Sequence, residues 1–235
     1  KLGAVHVPVS PLSRAFELSY ELNDTDAEVI VAQDQLIETV NQVRGETKLR
    51  EIIVTSFADV IPAEPTIPVP DSLRAPRVAI PGATDLLPAL AAMGDVVPLP
   101  PAELDDVAAL NYTGGTTGMP KGCVHTQRDM VYTAAANYGT GLTSNEKSVF
   151  LSFFPEFWIA GENLGLIFPL FSGATLVLLA RWDAVGVLEA IEKHKVSIMA
   201  MPVDGAVEMM DHPRFKEFDL SSLSQVRVVS FVKKL

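Results

Sequence analysis

The chain has 235 residues, 48% of them hydrophobic and 20% charged, enough to bury a sizeable core as one large domain or two small ones. Its net charge of −11, from 29 acidic and 18 basic residues with no basic cluster beyond Lys233-Lys234, argues against nucleic acid as a partner, since phosphate binding needs a basic face. No apolar run reaches the roughly 20 residues of a membrane span, and the single cysteine, Cys123, rules out an internal disulfide and fits a reducing, cytoplasmic compartment.

In chain order, Val5 to Val9 is a short apolar run bounded by prolines and predicts a strand. Ser13 to Asn23 reads as a helix with Phe16, Leu18 and Leu22 available for packing. Val29 to Ala32 is continuously apolar, as in a buried strand. Asp34 is placed to cap a helix carrying Leu36, Ile37, Val40 and Val43 on one side, with Gly45 as its terminator. Ile52 to Thr55 is the next strand. This alternation predicts parallel pairing with crossover helices.

Pro62 to Pro101 holds ten of the seventeen prolines. Each removes a donor and fixes φ, so the stretch reads as an irregular excursion with one short helix near Asp85 to Met93. Ala108 to Tyr112 is a strand. Thr126 to Asp129 forms a capping box opening a helix to about Tyr138. Val149 to Phe154 is strand-like, Leu164 to Phe171 helical, Ser172-Gly173 a turn and Thr175 to Leu179 a strand. Asp183 caps a helix with Ala184, Val187, Leu188 and Ile191 at helical spacing. Val196 to Met201 is a buried strand closed by Pro202, and the chain ends in a further strand. Both ends look cut, as in a piece of a longer protein. The fold class is α/β, with parallel sheets flanked by helices.

The stretch from Leu110 to Gly122, "LNYTGGTTGMPKG", cannot build a core. Glycines allow close backbone approach to a ligand, and successive N–H groups in such a turn cradle anions. Thr113, Thr116 and Thr117 add hydroxyls, and Lys121 adds a compact positive charge. These are the parts of a polyphosphate clamp; a glycine-rich surface loop is the competing reading. The spacing matches neither G-x-x-x-x-G-K-[ST] nor G-x-G-x-x-G.

"YTGGTTGMPKG" resembles the phosphate-loop signature of the adenylate-forming superfamily, the acyl-CoA synthetases, luciferases and adenylation domains, with Gly114 where serine is usual. "GAVHVPVSPLSRAFELSYELNDTDAEVIV", "PEFWIAG" and "PLFSGATLVLLARWDAVGVLEAIEKHKVSIMAMP" are similar to other family segments, in the family's order, so the resemblance covers nearly the whole chain. It implies that residues 1–235 are part of a large N-terminal AMP-binding domain, with 62–101 an excursion within it. It also implies that the C-terminal lid, with its catalytic lysine, lies beyond Leu235, so that this chain alone does not turn over.

The same resemblance implies activation of a carboxylic acid by ATP to an acyl-adenylate, then transfer to coenzyme A. Gly114, Gly115, Thr116, Thr117 and Gly118 would hold phosphate oxygens, Thr113 would ligate Mg²⁺, and Lys121 would pair with departing phosphate charge. Lys121 and Thr117 are thus the catalytic candidates. Trp158 stands where the family often has histidine, beside the acyl pocket that Gly161 also lines. It either gates that pocket or packs as a core aromatic against Phe153, Phe154 and Phe157. Glu156 and Glu162 read as solvated or helix-capping, Cys123 as a buried or semi-buried filler, and His125 as a helix-entry residue.

No Phe-Asp pair follows Phe153, which leans against amino-acid activation and towards a fatty or aromatic acid–CoA ligase. Alternatives are another adenylate-forming enzyme, luciferase-like or an adenylation domain, or a non-catalytic nucleotide-binding domain of the same fold. A kinase with an unrelated glycine loop is a further rival, separable by its ADP product. Strand edges left open at the ends would allow copies to associate.

Overall fold

A computed structural model describes residues 3–67, 69–94, 101–113, 119–139 and 143–229, which divide into two compact units. The first comprises the described residues of Lys1–Pro101 and Tyr112–Gly122, the second those of Ala102–Asn111 and Cys123–Leu235.

In the first unit, helix α1 (Ala15–Asp24) leads to strand β1 (Val29–Gln33), helix α2 (Ile37–Arg44) and strand β2 (Glu51–Thr55). β1 and β2 pair in parallel, Val29 opposite Glu51 through Gln33 opposite Thr55, as the alternating pattern predicts. Two further residues, β3 (Thr84–Asp85), add to β2 in parallel and lead into helix α3 (Leu86–Ala92). The excursion thus contributes a strand that was not expected, along with the short helix that was. Leu18 and Leu22 of α1, Ile37, Val40 and Val43 of α2, and Ile52 and Val54 of β2 form one buried cluster.

Three expectations change here. No strand forms over Val5–Val9, where only His6 makes a single bridge. β1 is not a buried strand: Val29 and Val31 are 47% and 58% exposed, because β1 is the outer strand and one of its faces turns away from the helices. Asp34 opens a short 3₁₀ turn (Asp34–Leu36) ahead of α2. Its buried carboxylate accepts from the Gln35 N–H at 2.9 Å and the Val78 N–H at 2.8 Å, tying the excursion to the helix start.

β4 (Val107–Tyr112) and β5 (Gly122–Thr126) form a two-stranded hairpin. The Thr113 N–H donates to the Lys121 carbonyl at 3.0 Å and the Gln127 N–H to that of Asp106 at 2.9 Å, so the partners run antiparallel. β5 was not foreseen; its short, mixed sequence carries no strand signal of its own. Cys123 on it is exposed, not the buried filler expected. Helix α4 (Gln127–Gly139) follows through the expected capping box: Asp129 Oδ2 accepts from the Thr126 N–H at 2.8 Å, and Thr126 Oγ1 from the Asp129 N–H at 3.2 Å.

The second unit's main sheet is fully parallel, in the order β7 (Thr175–Leu178), β6 (Val149–Ser152), β8 (Ile198–Pro202), β9 (Gln225–Val229). Helix α5 (Ile159–Glu162), a π-helical turn (Asn163–Ile167) and helix α6 (Phe168–Ser172) make one helical run from β6 towards β7, ended by Gly173 at φ +71°. Helix α7 (Ala184–His194) is capped as predicted, Asp183 accepting from the Gly186 N–H at 2.6 Å. Helix α8 (Val203–Asp211), not predicted, joins β8 towards β9. Phe150, Leu151, Val187, Leu188, Ile191 and Ile198–Met201 are almost wholly buried. Among the described residues no helix is long and apolar enough to cross a membrane.

Candidate functional site

The hairpin delivers the glycine-threonine run as a loop with a fixed mouth. Thr113 and Lys121 face each other at its base. The Thr113 N–H donates to the Lys121 carbonyl, and the Lys121 N–H donates to Thr113 Oγ1 at 3.2 Å. Eight residues of sequence separation are thereby closed by two hydrogen bonds. Both side chains are exposed, so the Lys121 ammonium and the remaining lone pair of the Thr113 hydroxyl face solvent. Gly114, Gly115, Thr116, Thr117 and Gly118 lie outside the described residues.

The strand below the mouth is anchored within the first unit. Tyr112 donates its hydroxyl to Asp24, meets Tyr20 edge-on at 6.3 Å, and would be 3.1 Å from any Cβ placed at Gly122. Burial, then the Asp24 hydrogen bond, holds the Tyr112 hydroxyl protonated well above the usual tyrosine range. An open groove of about 700 Å³ runs beside α1, lined by Phe16, Tyr20, Asp24, Glu46 and, from the loop, Met119. Its carboxylates make it unsuited to polyphosphate.

The second unit holds a group of polar residues at the carboxyl end of β6. The connection leaving β6 runs to β7 on one side, and the connection leaving the neighbouring β8 runs to β9 on the other. Open parallel sheets take ligands outside the carboxyl ends of their strands at such a switch point. Ser152, the last residue of β6, is 1% exposed. Glu162 is buried and accepts from Asn111 Nδ2 at 2.9 Å. Burial and the neighbouring Glu162 push the Glu156 carboxyl up to about 7. Glu162 is therefore not solvated as expected, and Glu156 is half-buried.

Glycines set this geometry. A Cβ at Gly161 would lie 2.0 Å from the Pro155 carbonyl oxygen, and one at Gly165 would lie 2.2 Å from Glu156 Oε1. The π-helical turn contains Gly165, and such turns are frequent at functional sites. Trp158 is 51% exposed and meets Phe157 edge-on at 5.9 Å. Of the two places open to Trp158, the one against Phe153 is taken by Trp182, which packs on Phe153 at 4.8 Å while Phe153 stacks on Phe154 at 5.1 Å. The signal that could have revealed the buried carboxyls was the spacing of Gly161 and Gly165, which lets the helical run close on the segment before it. Among the described residues no group of three or more His, Cys, Asp or Glu side chains is placed to hold a metal ion.

Comparison with known proteins bears on this arrangement. The profile of the family described as "AMP-binding enzyme" matches residues 1–233. The chain is 25% identical over 229 residues to a long-chain-fatty-acid–CoA ligase of Bacillus subtilis, covering 94% of this chain and 41% of that protein. It is 28% identical over 232 residues to 4-coumarate-CoA ligase 1 of Narcissus pseudonarcissus, covering 96% and 38%. Among solved structures, the anthranilate CoA ligase AuaEII in complex with anthranoyl-AMP matches with a TM-score of 0.77 at 26% identity, over 98% of this chain and 41% of that one. The chain thus spans about two fifths of the length of these proteins.

Proposed function

The chain belongs to the AMP-binding enzyme family, and on that premise we propose that it is part of the N-terminal, nucleotide-binding domain of an AMP-forming ligase that joins a fatty or aromatic carboxylic acid to coenzyme A. The observation that carries this reading is the loop mouth: Thr113 and Lys121, locked to each other by two hydrogen bonds, hold the ends of a glycine-threonine turn with a hydroxyl and an ammonium on its rim. The likeness to fatty-acid and aromatic acid–CoA ligases supports the substrate class.

In this reading a carboxylate oxygen attacks the α-phosphorus of ATP, the bond to the bridging oxygen breaks, and pyrophosphate leaves. A thiolate then attacks the acyl carbon and AMP leaves with the carboxylate oxygen. The first step needs in-line positioning and neutralisation of charge on the departing group. Backbone N–H groups of 114–118 and the hydroxyls of Thr116 and Thr117 would hold the phosphate oxygens, and Lys121 would face the leaving charge. A carboxylate nucleophile needs no general base. The Thr113 hydroxyl fits Mg²⁺, being an exposed hard oxygen donor, and the ion would supply further charge neutralisation when bound. Trp158 and Gly161 would lie along the acyl side, with the exposed indole gating entry.

The chain would be inactive by itself and complete only at its relatives' length, in the cytoplasm. The test is a product assay on the complete protein with ATP, Mg²⁺ and a panel of carboxylic acids, with and without coenzyme A. AMP and pyrophosphate that depend on the acid, with turnover needing coenzyme A, support the reading. ADP, or no cleavage with any acid, overturns it.

A further inference from the structure

Tyr112 stands one residue before Thr113 and Gly122 one residue after Lys121, so the two flank the mouth of the glycine-threonine loop. The Tyr112 side chain lies across the hairpin. The atoms nearest to a Cβ built at Gly122 would be its Cζ at 3.1 Å, Oη at 3.3 Å and Cε2 at 3.4 Å. The tip of the ring therefore rests on the strand that leaves the loop, while its backbone belongs to the strand that enters it. Glycine at 122 is what admits the ring, since a Cβ at 3.1 Å would press it away.

The same tip is held from a third direction. Tyr20 and Asp24 are four residues apart on α1 and so share one face of it. Asp24 accepts the hydrogen bond of the Tyr112 hydroxyl, and Tyr20 meets the ring edge-on with centroids 6.3 Å apart. α1 is fixed in turn by Leu18 and Leu22, which belong to the buried cluster of the first unit. A phenylalanine would cover Gly122 equally, but Asp24 could not hold its tip. The hydroxyl thus adds a further fixed point to the mouth, beyond the two hydrogen bonds between Thr113 and Lys121. Asp24 is exposed and negative, so it serves an anion site through the tyrosine it holds and not through its own charge.

We propose that Tyr112, gripped by Asp24, is a positioning residue for the β- and γ-phosphates of ATP: it fixes the two strands from which the loop springs, and with them the Thr113 hydroxyl and the Lys121 ammonium. This rests on the reading of the loop as the polyphosphate clamp of an AMP-forming ligase. Groups that meet charge on a phosphate act best when they are placed in advance. A loosened mouth weakens the hold on the outer phosphates and leaves the adenosine end of the nucleotide as it was.

The test is titration calorimetry of the complete protein with Mg-ATP and, separately, with AMP, which lacks the two outer phosphates. Tyr112→Phe and Asp24→Ala should each weaken Mg-ATP binding roughly tenfold, the scale of one hydrogen bond to a charged group, and change AMP binding by less than about twofold. The double variant should bind Mg-ATP no more weakly than the more affected single one, because both changes remove the same bond. Asp24 is exposed, so Asp24→Ala carries the test if Tyr112→Phe does not fold. A merely structural role would lower the unfolding midpoint and weaken both nucleotides together, and that result overturns the proposal. So does unchanged Mg-ATP affinity in either single variant, or a double variant in which the losses add. Lys121→Ala separates this proposal from the reading it rests on. Mg-ATP binding weakened by Lys121→Ala but by neither of the other changes overturns the positioning role and leaves the clamp. Selective loss of Mg-ATP binding in Tyr112→Phe and Asp24→Ala, alongside ADP as product or no nucleotide cleavage with any acid, overturns the ligase and leaves the positioning role. No Mg-ATP binding by the unaltered protein overturns both.

Discussion

The amide nitrogen of Asn111, on the strand that leads into the glycine-threonine loop, donates to the buried carboxylate of Glu162 at 2.9 Å across 51 residues of sequence. One of these residues belongs to a hairpin and the other to the helical run after β6. Both residues lie in the second unit, and the bond ties strand to helical run within it.

Asn111→Ala removes the donor and leaves the buried carboxylate short of a partner. A hydrogen bond to a charged group is worth about 1.5–3 kcal/mol, and the variant should lose that much stability in urea unfolding. An unchanged midpoint would mean that Glu162 finds another donor at no cost.

Stability should fall as pH rises, through Glu156. Its carboxyl stands at about 7 in the folded chain, against an ordinary value of 4.5. Between these values the unfolded chain has released a proton that the folded chain retains, so the folded state loses ground with each step up in pH. After allowance for solvent reaching this half-buried group, the loss is about 1–2 kcal/mol between pH 5 and pH 8. Glu156→Gln should flatten the difference. Parallel profiles for the two proteins would contradict this account.

Two glycines should respond oppositely to alanine. Gly161 meets the Pro155 carbonyl oxygen, backbone that cannot step aside, so Gly161→Ala should cost roughly 1–3 kcal/mol or more. Gly45 has open space around it and right-handed backbone at φ −70°, so Gly45→Ala should stabilise by about 0.4–1 kcal/mol. Thermal or urea unfolding of both variants checks the pair.

Lys121 is exposed. In the complete protein Lys121→Ala should lower the rate of AMP formation by roughly 100-fold, the scale for removing one group that meets developing charge. Its unfolding midpoint should not move. A large loss of stability with little loss of rate would return Lys121 to a structural role.

The caps were legible because their residue types do one thing well. Thr126 with Asp129, and Asp183 ahead of α7, sit where a helix start needs acceptors, and both are used in that way. The expected ligand role of the glycine-threonine run falls on Gly114 to Gly118, outside the described residues. β5 was missed because Gly122 to Thr126 pairs only through its neighbour β4. α8 was missed because Pro202 looked like an ending when it was also an N-cap. The burial of Glu156 and Glu162 was hidden for a different reason. An acidic residue in sequence carries no mark of its surroundings, and burial here comes from two glycines acting at a distance along the chain. Trp158 and Trp182 show the same limit: both are large aromatics, and only the fold decides which one meets Phe153.

The most direct measurement follows the oxygen atoms. The complete protein would be supplied with an accepted acid labelled with oxygen-18 in its carboxylate, together with ATP and coenzyme A, and the AMP analysed by mass spectrometry. Attack of the carboxylate on the α-phosphorus, then displacement at the acyl carbon, places one labelled oxygen in each AMP formed. AMP carrying that label is the predicted result. Unlabelled AMP, or ADP in its place, would contradict an acyl-adenylate and with it the role assigned to the loop closed by Thr113 and Lys121.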